Sequence, residues 1–172
     1  IFIIQLKLIN IGCHVASIFI GCILYADDII LLSPSVAGLQ SMLDKCFELA
    51  SSLSLQFNVN KSHCIAIGKM CNIAIQPMSL GGNLIDWCKT VKYLGIYLLS
   101  TCSKSVKFDI NPAKRAFFGA CNSIFMHGSG VGELALLALQ ESYSLSELMY
   151  AVPALILNAK QVNELNVCWN SV

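Results

Sequence analysis

The chain has 172 residues, enough for one domain with a substantial core, and 56% of them are hydrophobic whereas 12% are charged. Since charged residues usually make up about 25% of a soluble domain, we expect part of the apolar surface to be covered by further chain. The formal net charge of +1 excludes a globally basic nucleic-acid-binding protein, so any such binding would need a local patch. Because the sequence starts at Ile1, we expect a fragment of a longer reading frame or a decayed copy of one.

Two adjacent carboxylates separate two short apolar runs early in the chain. Ile18 to Leu24 and Ile29 to Leu32 have the length and the β-branched content of strands, and Tyr25-Ala26-Asp27-Asp28 lies between them. We predict a β-hairpin with an acidic tip, because short carboxylate side chains tolerate turn dihedrals. Such a tip is either ordinary turn chemistry or a ligand for Mg²⁺, which usually binds one or two protein carboxylates plus substrate phosphates.

The apolar stretch from Leu8 to Leu32 also raises a membrane-associated alternative. A bilayer span needs about 20 apolar residues, but Asn10, His14 and Ser17 interrupt this stretch and two aspartates end its uncharged part. Its glycines and β-branched residues favour buried strands over a helix. We therefore predict strands throughout the segment that ends at Ser33, and no membrane partner.

A helix is predicted after the hairpin. Ser33 is expected to cap it and Pro34 to occupy its first turn, and the helix should end near Ser54. Apolar residues then recur every three or four positions and form one buried stripe: Val36, Leu39, Leu43, Cys46, Ala50 and Leu53. The acidic residues Asp44 and Glu48 fall on the opposite face, where we expect solvent rather than a metal ion.

Three shorter features follow the helix. The segment Leu55 to Ser62 leads into a predicted strand over Cys64 to Ile67, and Gly81-Gly82-Asn83 is predicted to form the turn of an irregular strand pair. Val91 to Leu98 is predicted to be a strand whose central Gly95 permits close approach of another backbone. The serine-rich change in composition at Ser100 to Ser105 predicts a domain boundary, which we place between residues 101 and 102.

The last third of the chain is predicted to be helical. Asn111 is expected to cap a helix that Pro112 starts and that Gly128 and Gly130 end. Further helices are predicted over Glu133 to Tyr143, Ser146 to Leu157 with a kink at Pro153, and Lys160 to Trp169. Four cations cluster at the start of this region, with Asp109 as the nearby acid: Lys104, Lys107, Lys114 and Arg115. Such a patch can bind phosphates in a salt-dependent manner or simply keep a helix solvated.

The nine cysteines have no spacing typical of a metal site. No Cys-x-x-Cys pair occurs, the three histidines are isolated, and an odd count argues against a disulfide framework. We predict buried free thiols and an intracellular, reducing location in the cytoplasm and nucleus.

Three motifs in order resemble the reverse transcriptases of LINE-type non-LTR retrotransposons. These are Tyr25-Ala26-Asp27-Asp28, the Phe57-Asn58 to Lys61-Ser62 stretch, and Lys92-Tyr93-Leu94-Gly95. Leu148 to Trp169 is similar to the helical region that follows the palm in the same family. The resemblance implies an α+β fold: a partial polymerase palm over residues 1–101, made of an antiparallel sheet with the acidic hairpin and a packed helix, and a helical thumb-like bundle over residues 102–172.

The resemblance also implies an activity and its residues. The family adds deoxynucleotides to a DNA primer on an RNA template with two Mg²⁺ ions, which would place Asp27 and Asp28 as catalytic metal ligands. By the same match, Lys61 would contact or protonate the leaving pyrophosphate. Further positions are implied to contact nucleic acid: Tyr25, Lys92, Tyr93 and Gly95 by their motifs, and Lys104, Lys107, Lys114 and Arg115 as the basic patch.

One family feature does not occur in these 172 residues. The family's active site has another aspartate on a palm strand before the hairpin, whereas Asp27 and Asp28 are the only acids before Asp44. The fingers and the other upstream palm segments have no counterpart either, and the full site would need them as partners. We therefore expect the chain to be inactive alone, with weak Mg²⁺ binding. The alternatives are a non-catalytic nucleic-acid-binding remnant and a small membrane-associated protein.

Overall fold

The computed structural model describes residues 2–172, which form two compact units. The first contains residues 2–64 and 73–88, and the second contains residues 65–72 and 89–172. These units do not coincide with a division at residue 101. That division concerns the role of each segment in the family, and it stays a prediction. Helices and strands both contribute, as expected for an α+β protein.

The first unit contains two helices and a series of short strands. The helices are α1 (Phe2–Leu8) and α2 (Val36–Ser52). The strands up to α2 are β1 (His14–Val15), β2 (Ile18–Phe19), β3 (Cys22–Tyr25) and β4 (Asp28–Leu31). The later strands are β5 (Cys64–Ile65), whose second residue belongs to the other unit, β6 (Met78–Leu80), β7 (Asn83–Ile85) and β8 (Trp87–Cys88).

The sheets of the first unit are small antiparallel pairs rather than one broad sheet. β1 pairs with β2, β3 with β4, and β6 with β7. The predicted turn between β6 and β7 is confirmed, with Gly81 and Gly82 both at positive φ. The predicted strand from residue 64 ends at Ile65, two residues early.

The prediction of strands from the start of the chain is wrong for its first residues, because Phe2–Leu8 is a helix. Leu6 is fully buried in a cluster with Cys22, Met42 and Cys46. A helix presents Phe2 and Leu6 to this cluster on one face, and this tertiary packing outweighs the β-branched composition. No helix within residues 2–172 is long and apolar enough to cross a bilayer.

Helix α2 is present as predicted, but it starts later than expected and only Cys46 and Ala50 of the predicted stripe are buried. Its N-cap is Ser35, whose Oγ accepts a hydrogen bond from the Gly38 N–H at 3.1 Å. Met42, Cys46 and Ala50 are buried along the helix, whereas the expected last member of the stripe, Leu53, is 43% exposed. The capping role predicted for Ser33 therefore belongs to Ser35.

The second unit consists of a three-stranded antiparallel sheet and a helical bundle. The strands are β9 (Thr90–Tyr93), β10 (Ile96–Leu99) and β11 (Lys107–Asp109), with β10 in the centre. The helices are α3 (Asn111–His127), α4 (Glu133–Leu139), α5 (Leu145–Met149) and α6 (Ala159–Asn170). A π-helical segment, Gln140–Ser144, joins α4 to α5.

The predicted helix boundaries of this unit need three corrections. The N-cap of α3 is Ile110, and the Asp109 carboxylate, not the Asn111 side chain, accepts the Asn111 N–H at 3.0 Å. Pro153 lies in a short 3-10 turn, Val152–Ala154, because α5 has already ended at Met149. The last helix begins after Asn158, which forms a capping box with Gln161.

The core of the second unit lies among α3, α5 and α6. Phe117 is fully buried, and Leu148 and Cys168 are 2% and 4% exposed. Trp169 packs against this cluster with its ring centroid 6.4 Å from that of Phe117. The helical region thus has a hydrophobic core of its own.

Candidate active-site hairpin and basic patch

The acidic sequence forms the predicted hairpin. Tyr25 of β3 pairs with Asp28 of β4, so that Ala26 and Asp27 form a two-residue turn. Ala26 has φ of +52°, the left-handed conformation that such turns require in at least one position. The Leu32 N–H donates to the Gly21 carbonyl at 2.7 Å and closes the other end of the hairpin.

Both aspartates of the hairpin are available to a ligand. Asp27 lies in the turn, Asp28 begins β4, and both are exposed, as is the neighbouring Tyr25 at 61%. Within residues 2–172, neither carboxylate forms an ion pair or a side-chain hydrogen bond. Two like charges at adjacent positions repel each other, and a bound cation removes this repulsion.

The donor set fits one Mg²⁺ ion better than two. Mg²⁺ binds oxygen ligands and usually keeps several waters or phosphate oxygens beside one or two carboxylates, which Asp27 and Asp28 can supply. Among the described residues, no group of three or more His, Cys, Asp or Glu side chains is arranged to hold a metal ion. A complete two-ion centre would therefore need a ligand from outside residues 2–172.

Lys61 is exposed and lies at the end of a 3-10 turn, Val59–Lys61. The resemblance places this residue where the chain enters a strand, and β5 does begin three residues later at Cys64. No ion pair joins Lys61 to Asp27 or Asp28 among the described residues. Its ammonium group is thus available to solvent or to an anion.

The Lys92-Tyr93-Leu94-Gly95 motif forms the end of a hairpin rather than the continuous strand predicted from its alternation. Tyr93 pairs with Ile96, and Leu94 and Gly95 form the turn at φ of +46° and +80°. Gly95 is therefore needed at a turn and not inside a strand. A Cβ atom at Gly95 would lie 3.0 Å from Cε1 of Tyr150, so the ring of Tyr150 packs directly against this turn.

Lys92 extends from the same hairpin over an aromatic ring. Its Nζ lies 5.6 Å from the ring centroid of Tyr97, the residue that it faces across the sheet. This cation-π contact orients the lysine while leaving its side chain exposed. Tyr93 is partly buried and makes contacts of its own.

The basic patch is smaller than predicted, because one of its four cations is paired with a carboxylate. Lys114 Nζ lies 2.9 Å from Glu164 Oε2, and this hydrogen bond raises the pKa of the lysine above its usual value. Sequence reasoning missed Glu164 because the two residues are 50 positions apart. Lys104, Lys107 and Arg115 are exposed and form no ion pair among the described residues.

The cysteines differ from the prediction at one pair. Cys71 and Cys102 form a disulfide, whereas the other seven cysteines are free. The sequence does not predict this disulfide, because the two cysteines are 31 residues apart and only the folded chain brings them together. Five of the seven free thiols are buried as predicted, whereas Cys13 and Cys88 are partly exposed. Desolvation raises the pKa of Cys46 to about 12 and that of Cys64 to about 11.

Comparison with protein families gives a match over the first part of the chain. A family model described as "Reverse transcriptase (RNA-dependent DNA polymerase)" matches residues 3–98, more than half of the chain. The matched range contains the acidic hairpin, Lys61 and the Lys92-Tyr93-Leu94-Gly95 turn. No curated protein and no solved structure matches the chain.

Proposed function

The chain belongs to the reverse transcriptase (RNA-dependent DNA polymerase) family, and from this premise we propose that the β3–β4 hairpin is the metal-binding part of a polymerase active site. The observation that carries the proposal is the pair of exposed, unengaged carboxylates at its tip. Asp27 is the principal ligand and Asp28 the lesser one. When bound, Mg²⁺ supplies the charge that activates a primer 3′-hydroxyl and stabilises the departing pyrophosphate.

Lys61 has a supporting role in this proposal. An exposed ammonium can donate hydrogen bonds and a proton to the phosphate oxygens that gain charge as pyrophosphate leaves. The absence of any ion-pair partner for Lys61 among residues 2–172 supports this role, because no carboxylate there competes with the substrate.

We further propose that residues 1–101 are the later palm of a LINE-type non-LTR enzyme and that residues 102–172 are its thumb-like region. The β9–β10 hairpin would support the primer end through Lys92, Tyr93 and the Gly95 turn. The separate hydrophobic core formed by α3, α5 and α6 supports a helical thumb-like bundle. RNA template, DNA primer and deoxynucleoside triphosphates would be the ligands.

These 172 residues alone should not polymerise, because only the two hairpin aspartates are available before Asp44. One carboxylate fewer lowers the affinity for the ions and removes the geometry that holds two of them about 3.5–4 Å apart. Primer extension on an RNA template with Mg²⁺ tests this point. Nucleotide incorporation by the unaltered chain would contradict the predicted inactivity. If Asp27→Ala abolished that incorporation, the role of the hairpin would still be supported.

A non-catalytic nucleic-acid-binding function is the second candidate. It is favoured by the cations Lys104, Lys107 and Arg115, which form no ion pair within residues 2–172. This function predicts salt-dependent binding of an RNA–DNA hybrid. If neither Asp27→Ala nor Mg²⁺ changed the affinity, the binding function would be supported over the polymerase fragment.

A further inference from the structure

A cleft of about 460 Å³ lies within the second unit, between the three-stranded sheet and helices α3, α5 and α6. This volume is large enough for a small organic ligand. Part of the lining is apolar and includes the buried residues Ile110, Leu148 and Leu165. Five ionisable side chains complete the lining among the described residues: Lys92, Tyr97, Asp109, Glu147 and Tyr150.

A cross-strand row of the sheet forms one wall of this cleft. Tyr97 of β10 pairs with Lys92 of β9 on one side and with Asp109 of β11 on the other, so the three side chains lie on the same face. Lys92 leans over the Tyr97 ring, with its Nζ 5.6 Å from the ring centroid. Within residues 2–172 it forms no ion pair with Asp109. An ammonium donor and a carboxylate thus lie beside one aromatic ring without contacting each other.

The two carboxylates of the cleft differ in their availability to a ligand. Oδ1 of Asp109 already accepts hydrogen bonds from the backbone N–H of Asn111 at 3.0 Å and from its Nδ2 at 2.8 Å. Glu147, on α5, is exposed and forms neither an ion pair nor a side-chain hydrogen bond in the described part of the chain. Glu147 is therefore the acceptor that a ligand can engage with both oxygens.

The aromatic side chains of the lining favour a planar ligand. The ring of Tyr150 contacts the Gly95 turn, but the residue is 69% exposed and so offers a surface for stacking. Tyr97, in the sheet, is only partly buried. Nucleobases stack on such rings, and this interaction alone does not distinguish one base from another.

The charges of the lining select among planar ligands. The two carboxylates oppose an anionic ring and the ammonium of Lys92 opposes a cationic one, whereas a neutral base with donors and an acceptor can pair with both. A carboxylate accepts two adjacent N–H donors at once. Guanine presents such a pair at N1 and at its 2-amino group, beside the acceptor O6. Adenine and cytosine instead place a ring-nitrogen acceptor beside the amino group, and uracil and thymine place two carbonyl oxygens beside their single N–H.

We propose that this cleft binds a guanine base. The N1–H and the 2-amino group donate to the Glu147 carboxylate, O6 accepts a hydrogen bond from Lys92 Nζ, and the ring lies against Tyr150. A free guanine nucleotide and an unpaired guanine of a nucleic-acid strand present this same edge. The inference does not depend on the metal role of the acidic hairpin, which lies in the other unit.

Guanosine and inosine 5′-monophosphates (GMP and IMP) are matched probes, because they differ only in the 2-amino group. Gly95 lines the cleft, so its amide signal in an NMR titration of the full chain without Mg²⁺ reports binding there. GMP should shift this signal saturably and bind ~10-fold more tightly than IMP, as expected for one hydrogen bond to a charged acceptor. Adenosine 5′-monophosphate directs a ring nitrogen at the carboxylate and should bind more weakly than both.

The Glu147→Ala variant removes the acceptor and should reduce the GMP-to-IMP affinity ratio to about one. Glu141→Ala removes an exposed carboxylate that does not line the cleft, and this matched control should leave the ratio unchanged. Both positions are exposed, so neither change disturbs the core. The absence of a saturable shift at Gly95, equal affinities for GMP and IMP, or a ratio that persists in Glu147→Ala would each overturn the proposal.

A strand-bound base is distinguished from a free nucleotide with two single-stranded oligothymidylates that carry one central guanine or one central hypoxanthine. If the guanine strand binds more tightly and shifts the Gly95 signal, the cleft accepts an unpaired base of a strand. If only the mononucleotides show the preference, the ligand is a free guanine nucleotide. Both results support the guanine site, and both are independent of metal binding at Asp27 and Asp28.

Discussion

Lys114 Nζ and Glu164 Oε2 lie 2.9 Å apart and connect the first turn of α3 to the second turn of α6. The pairing keeps the lysine charged, because the hydrogen bond raises its pKa, but it offsets that charge locally. Lys114 therefore does not contribute to a nucleic-acid-binding surface in the way that an unpaired lysine does.

The first prediction concerns the salt dependence of nucleic-acid binding. Replacing Lys107 by Ala should reduce the slope of log affinity against log salt by ~0.7–0.9, the value for one lost phosphate contact. Replacing Lys114 by Ala should leave the slope almost unchanged, because its charge is already paired. Fluorescence anisotropy with an RNA–DNA hybrid measures both slopes, and equal losses in the two variants would show that Lys114 is available to phosphate.

The second prediction concerns the turn of the acidic hairpin. Ala26 has φ of +52°, a conformation that destabilises an L-residue by about 1–2 kcal/mol. Glycine adopts this conformation without that strain, although it loses more backbone entropy on folding. Ala26→Gly should therefore raise the free energy of unfolding by up to about 1 kcal/mol, and Ala26→Val should lower it by a similar amount. Urea denaturation in a Trp169→Phe background, with Trp87 as the reporter of the first unit, measures both changes.

Ala16 provides the matched control for Ala26. It has φ of +53° in the turn between β1 and β2, which contains no carboxylate. Ala16→Gly should give a similar gain in stability. A clear loss of stability in Ala26→Gly would mean that the turn does not hold the left-handed conformation in solution.

The third prediction concerns the Gly95 turn. Gly95 and Gly130 both have positive φ in the second unit, but a Cβ at Gly95 meets the Tyr150 ring whereas one at Gly130 meets open space. Each alanine variant should lower the free energy of unfolding by about 1 kcal/mol, because an L-residue is strained at positive φ. Gly95→Ala should lower it further, because the Tyr150 ring must move. Urea denaturation with Trp169 as the reporter compares them, and equal costs would exclude the contact with Tyr150.

The fourth prediction concerns the thiols. Cys13 and Cys88 are partly exposed, whereas the other five free cysteines are buried. Burial raises the pKa of Cys22 and Cys46 and suppresses the reactive thiolate. Iodoacetamide at mildly alkaline pH, read by mass spectrometry, should label Cys13 and Cys88 first.

Unfolding without a reductant provides the control for the thiol assignment. All seven free cysteines should then be labelled, while Cys71 and Cys102 should react only after reduction. Labelling of Cys71 without reductant would contradict the disulfide. It would restore the original prediction that every thiol is free.

The elements that could be predicted from the sequence are those determined by residues close together in the chain. The strand-turn-strand pattern around Asp27 and Asp28 predicts the β3–β4 hairpin. The glycine pair at positions 81 and 82 predicts the turn of the β6–β7 hairpin. The helical period also predicts helix α2 itself, although its buried row runs through Gly38 and Met42 rather than Leu39 and Leu43. In each case, the residues that determine the element are adjacent to one another in the chain.

Features that depend on distant residues could not be predicted in this way. The helical start of the chain depends on the burial of Leu6 against Met42, and the charge state of the basic patch depends on Glu164. The Asn158 and Gln161 capping box was a readable signal that the prediction passed over by starting the last helix at Lys160. The Gly95 turn was misread because alternation alone does not separate one strand from two.

The most direct test of the proposed function is paramagnetic broadening by Mn²⁺, which replaces Mg²⁺ at oxygen ligands. In an amide NMR spectrum, low Mn²⁺ concentrations should selectively broaden the signals of residues 25–28. The Asp27→Asn/Asp28→Asn double variant should lose this effect, whereas Asp44→Asn, an exposed acid on α2, should retain it. Broadening that is absent from residues 25–28, or unchanged in the double variant, would contradict the assignment of the acidic hairpin as a metal site.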